Sequence, residues 1–130
     1  MSRRKKNCLL IAFTLCLYVI NQHIKSRIPF NGLRWFMVCY FNDIIGSITF
    51  MAYCNVIFEF HQRYMSKLRY ILLMMLGCGI VWEVIAPIYR HDTVADPWDI
   101  IAYLFGGFLY WLFVRRDKKG AEHIHDTRAA

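Results

Sequence analysis

The chain has little charge for its size. Only 19% of its 130 residues are Asp, Glu, Lys or Arg, while 58% are hydrophobic. A soluble domain this small buries the smallest share of its surface and has no way to hide that much apolar area. A lipid bilayer removes the difficulty by solvating apolar side chains directly. Acidic residues are the scarcer sign, 9 against 16 basic, for a net charge of +7. No basic face with interleaved aromatics accompanies that excess, so nucleic acid is not an expected partner. CxxC is absent as well. The five cysteines, Cys8, Cys16, Cys39, Cys54 and Cys78, lie in or beside apolar runs. Their scatter excludes a disulfide framework and a zinc site and fits small packing residues. HExxH, a P-loop and a spaced nucleophile–base pair are all missing. No catalytic residue or cofactor is therefore assigned, and an enzyme is the less favoured reading. The metal question stays open.

What is present is four apolar runs. Crossing the hydrocarbon core takes about 20 residues of helix. The runs cover residues 8–22, 33–60, 70–89 and 98–114, followed by a charged tail, 115–130, expected to be disordered beyond Gly120. The expected fold is a single all-α domain, a polytopic four-transmembrane-helix bundle. The first run follows MSRRKK, but Ile20-Asn21-Gln22-His23 offers no small-residue cleavage site, so it reads as a retained helix. The second run is interrupted at Asn42-Asp43. Before the fourth, Asp96 suits an N-cap, Pro97 the first helical position and Asp99 the third. Asp43-Ile44-Ile45 and Asp99-Ile100-Ile101 echo each other, too briefly to establish a repeat.

Basic residues set orientation. With both termini cytoplasmic, the inner segments hold Arg3, Arg4, Lys5, Lys6, Arg63, Lys67, Arg69, Arg115, Arg116, Lys118, Lys119 and Arg128, twelve of the sixteen. Lys25, Arg27, Arg34 and Arg90 fall outside.

Ionisable groups within a span are costly and mark candidate sites. In this topology Asp43, Glu83 and Asp99 all lie in the outer half of the bilayer. Helical spacing gives each a polar, small-residue stripe. One stripe holds Asn42, Gly46, Thr49 and Tyr53, with Asp43 and Ser47 beside it. Another holds Gly79, Glu83, Ala86, Pro87 and Arg90. The last holds Asp99, Tyr103, Gly106, Gly107 and Tyr110. Such stripes suit close helix packing in lipid, with Gly46, Gly79, Gly106 and Gly107 as contact points. The expectation is that the stripes face one another around an outward-open polar pocket. Its candidate ligand-binding residues are Asn42, Asp43, Glu83, Arg90, Asp92, Asp96, Asp99 and Tyr103. Structural roles compete with binding: Asp96 and Asp99 as caps, a Glu83–Arg90 pair fixing a turn, and glycines as packing notches.

The stretch Glu83 to Arg90, with Asp92, Asp96, Asp99, Tyr103, Gly106 and Gly107, resembles the VanZ-like family of small bacterial membrane proteins. The resemblance covers about residues 82–110. It departs where the family often has an asparagine, here Tyr103, and at an earlier Asp-Lys…His signal, here Asn42-Asp43. It implies a bacterial inner-membrane location and a link to glycopeptide resistance or envelope stress. The expected function is non-enzymatic binding of a cell-envelope ligand: a lipid head group, a peptidoglycan precursor or a lipid-modified antibiotic. Two alternatives stay open. One is a small oligomeric transporter or channel using Asp43 and Glu83 as a cation or proton site. The other is an accessory subunit of a larger membrane complex. Membrane lipids are partners in every case, with a homo-oligomer or a larger membrane partner as further expectations.

Overall fold

The computed structural model describes residues 2–29, 31–89 and 96–129. The described residues form five α-helices: α1 (Arg3–Ile24), α2 (Gly32–Cys39), α3 (Phe41–Phe60), α4 (Leu68–Tyr89) and α5 (Pro97–Ala129). Helices α2 and α3 together act as one 29-residue span, so four segments are long and apolar enough to cross a bilayer. This is the architecture of a multi-pass membrane protein.

Helix ends follow local chemistry. Ser2 caps α1 by accepting from the Lys5 N–H at 3.3 Å. The helix therefore starts within the basic run, five residues before the expected Cys8. Asn31 caps α2 by accepting from the Arg34 N–H at 3.1 Å. The break between α2 and α3 falls at Tyr40, with φ −117°, two residues ahead of the expected Asn42-Asp43. Asp96 caps α5 by accepting from the Trp98 N–H at 3.0 Å, with Pro97 as the first helical residue. The backbone of α5 then stays helical through Ala129, where a disordered tail was expected. No proline follows Pro97, and Lys119, Ala121, Glu122 and Arg128 are good helix formers.

Helix α3 ends in a Schellman motif. The Arg63 N–H donates to the Phe58 carbonyl at 2.9 Å, and the Gln62 N–H donates to the Glu59 carbonyl at 3.1 Å. Gln62 takes the left-handed position, φ 56°, which normally favours glycine.

The spans pack in the order α1–α3–α5–α4, with α2 preceding α3 in the same span. Two glycines make the inner contacts possible. A Cβ on Gly106 would strike Ser47 Oγ of α3 and come within 2.5 Å of the Ile44 carbonyl oxygen. A Cβ on Gly107 would lie 2.7 Å from Met75 Cγ of α4. Adjacent residues of α5 thus admit its two neighbours on opposite sides. A small apolar core of Met51, Ala52, Ile71, Met75, Tyr110 and Val114 fills the α3–α5–α4 junction.

Polarity is inverted relative to a water-soluble bundle. Large apolar side chains such as Phe13, Trp82 and Ile88 are more than 60% exposed. The only buried side chains of α1 are Asn7, Thr14 and Asn21. They are spaced by seven residues, close to two helical turns, and so form one line down the helix.

Candidate functional site

Three helices contribute to the acidic end of the bundle. Asp43 lies in the first turn of α3, Glu83 near the end of α4, and Asp99 in the first turn of α5. All three are half-buried. Asp43 sits in the electrostatic range of both Asp99 and Glu83, and the Tyr103 hydroxyl is its hydrogen-bonding neighbour. Asp96 adjoins Asp99. Glu83 also engages the backbone, because its Oε2 accepts from the Asp96 N–H at 3.1 Å. That bond ties the end of α4 to the start of α5. Gly79 makes room for the arrangement, because a Cβ there would meet the Tyr103 ring at 3.3 Å and Ile100 at 3.4 Å. Asp43, Glu83, Asp96, Asp99 and Tyr103 therefore gather at one end of the α3–α5–α4 layer.

The rest of the sequence-derived set is divided. Asn42 turns away from the acids, because one helical step separates it from Asp43. Its Oδ1 accepts from Asn21 Nδ2 of α1 at 2.9 Å. Gly46, Thr49 and Tyr53 go with it, lining a groove of about 450 Å³ between α1 and α3. That stripe faces α1 rather than α5. Gly46 is exposed there, and a Cβ on it would meet no atom within 4 Å, so it is not a contact point like Gly79, Gly106 and Gly107. A second groove, about 200 Å³, is lined by Phe36, Tyr40, Ile44, Trp98, Ile101, Ala102 and Phe105. Neither groove is lined by Asp43, Glu83 or Asp99. Arg90 and Asp92 lie outside the described residues.

A second polar cluster, not singled out from the sequence, occupies the other end. Asn55 is fully buried. Its Nδ2 donates to the Met65 carbonyl at 2.9 Å and to the Tyr110 hydroxyl at 2.7 Å, while its Oδ1 accepts from the Met65 N–H at 2.8 Å. The Tyr110 hydroxyl donates to Asn7 Oδ1 at 2.9 Å, and Asn7 Nδ2 faces the Tyr64 hydroxyl at 3.4 Å. One amide–hydroxyl chain thus joins α1, α3, α5 and the α3–α4 connection. Midway, Thr49 Oγ1 lies 2.8 Å from Thr14 Oγ1. The signal for this cluster was legible: Asn7, Thr14 and Asn21 recur every seven residues, and Asn55 interrupts an apolar run. Attention to ionisable groups alone passes over them.

Around the amide cluster are the cations. The Arg3 guanidinium lies 5.2 Å from the Tyr64 ring centroid, Arg4 4.2 Å from Phe60, Arg69 4.7 Å from Tyr70 and Arg115 5.1 Å from Trp111. The bundle is therefore polarised, with Asp43, Glu83, Asp96 and Asp99 at one end and a collar of arginine–aromatic pairs at the other, where Glu59 is the acid at the end of α3.

No family model, curated protein or solved structure matches the chain.

Proposed function

We propose that the chain is a non-enzymatic, VanZ-like protein of the bacterial inner membrane, with both termini in the cytoplasm and its acidic end facing outward. In this reading the acidic end binds a cell-envelope ligand. The observation that supports it is the convergence of Asp43, Glu83 and Asp99 from three separate helices, with Tyr103 among them. Carboxylates within a span are costly, and three on neighbouring helices repel one another. Glu83 ties α4 to α5 through the Asp96 N–H, but that bond does not require Asp43 beside it. Ionised carboxylates only accept hydrogen bonds, so the complementary ligand carries donors or positive charge. The amine of a lipid head group, the peptide of a peptidoglycan precursor and the amines of a lipid-modified antibiotic all meet that requirement. The arginine–aromatic collar supports this orientation, because basic residues favour the cytoplasmic interface.

The test is a bacterial host expressing the chain, scored for glycopeptide susceptibility and growth under envelope stress. Glu83→Gln and Asp99→Asn, singly and together, should insert normally and abolish any protective effect. Full protection by an inserted double variant would reduce the acids to a structural role.

A second reading is a small oligomeric transporter or channel with Asp43 and Glu83 as its cation or proton site. What favours it is the placement of Asp43 inside the 29-residue span that α2 and α3 form, three residues after the break at Tyr40. Proton uptake by proteoliposomes containing the chain, lost in Asp43→Asn, is the expected result for that reading.

A further inference from the structure

Asn21 is 1% exposed, yet its Oδ1 meets no hydrogen-bond donor among the described residues. A buried acceptor left bare is costly. The Nδ2 of the same side chain donates to the Met37 carbonyl at 3.0 Å and to Asn42 Oδ1 at 2.9 Å. Turning the amide over gives no relief, because it would set Oδ1 against those two oxygens. The place is a helix break. The α2 ladder ends where the Tyr40 N–H donates to the Phe36 carbonyl, and the α3 ladder opens where the Ile44 N–H donates to the Tyr40 carbonyl. Carbonyls in the last turn of a helix have no partner within it, and Met37 turns one of these to Asn21.

Oxygens of α1, α2 and α3 therefore gather about one carboxamide: Asn21 Oδ1, the Met37 carbonyl and Asn42 Oδ1. Met37 and Asn42 each keep a second lone pair beyond the bond they accept from Asn21. All these oxygens are uncharged, and they stand at the negative end of α2. Oxygens at a broken membrane helix are a recurrent way of holding a small cation. We propose that Asn21 Oδ1, Asn42 Oδ1 and the Met37 carbonyl bind a monovalent cation, sodium or potassium, at the α2–α3 break. A neutral oxygen set suits a single charge, whereas divalent ions draw on carboxylates. Asn42 turns away from the acids, so this site is separate from the acidic end and stands whether or not that end binds an envelope ligand. A bound ion would join α1 to both halves of the broken span.

The experiment follows unfolding of the full chain in detergent, in sodium, potassium or choline chloride at constant ionic strength. Sodium or potassium should raise the unfolding midpoint saturably above its value in choline, and the one with the larger shift is the preferred ion. Asn21→Leu, which deletes Oδ1, should abolish the shift. Asn42→Asp keeps the acceptor for Asn21 and adds a charge, so it should lower the half-saturating cation concentration by about ten-fold. Asn55→Ala, at the other end of the bundle, should keep the full cation dependence of the parent chain. Equal midpoints in all three salts would leave Oδ1 to a water molecule and overturn the proposal. A shift lost in Asp43→Asn but kept in Asn21→Leu also overturns it, because the cation would then lie among the acids, as in the transporter reading. Where Asn21→Leu fails to fold, Asn42→Asp decides, and an unchanged half-saturating concentration in that variant sinks the proposal.

Discussion

The two ends of the bundle handle buried polarity in opposite ways. At the cationic end, Asn7, Asn55 and Tyr110 are neutral and almost wholly buried, and their donors and acceptors meet one another or the Met65 backbone. At the acidic end, Asp43, Glu83 and Asp99 are half-buried carboxyl groups, with the Tyr103 hydroxyl and the Asp96 N–H among their partners. A closed amide–hydroxyl network holds helices together in a medium that supplies no hydrogen bonds. A convergence of acceptors does the reverse, because like charges on adjacent helices push them apart. The difference separates a clasp from a receptor surface.

That comparison can be broken in several places, by unfolding in detergent followed through helical circular dichroism. The largest effect is expected between the ends, at Gly106→Leu. Its side chain would collide with Ser47 and the Ile44 carbonyl, and overpacking against backbone costs about 3 kcal/mol. Next comes Asn55→Ala, which removes three hydrogen bonds and leaves the buried Tyr110 hydroxyl without one of its partners. A loss of about 2 kcal/mol is expected, since bonds in membrane bundles are individually modest. The acidic end should respond with the opposite sign. Asp43→Asn keeps the shape of the side chain and removes one of the repelling charges, so stability should rise by about 1 kcal/mol. A loss comparable to that of Asn55→Ala would mean that the acids also act as a clasp. Smallest is Gln62→Gly at the Schellman turn, where relief of the left-handed strain should stabilise by about 0.5–1 kcal/mol. Because it leaves both clusters intact, it serves as the reference for the other three.

The spans themselves were legible in the sequence, because four apolar runs of sufficient length have few other solutions. The cap at Asp96-Pro97 was also legible, being a matter of neighbouring residues. Helix ends were less so. The basic run before Cys8 joins α1 because Ser2 caps it, and the helix break settles on Tyr40 rather than on the more polar Asn42-Asp43. The gathering of Asp43, Glu83, Asp99 and Tyr103 could be anticipated from topology, since each lies near the same end of its helix. The departure of Asn42, Gly46, Thr49 and Tyr53 could not. It depends on α1 lying on the far side of α3, and the lateral order of helices is not written in the length of the runs. The same order decides that Tyr110 meets both Asn7 and Asn55. A pattern of polar residues can announce that a face is buried, but it does not name the helix that buries it.

The hydrogen bond between Tyr110 and Asn7 joins residues 103 positions apart, and this has a consequence for biosynthesis. As the chain emerges, Thr14 and Asn21 find Thr49 and Asn42 once α3 follows α1 into the membrane. Asn7, beside Tyr64, must wait for the Tyr110 hydroxyl until most of α5 has been synthesised. Until then the first helix is hydrogen-bonded at its middle and far end, while its beginning rests on the Arg3–Tyr64 and Arg4–Phe60 contacts. The last span delivers the hydroxyl that locks the first one in place.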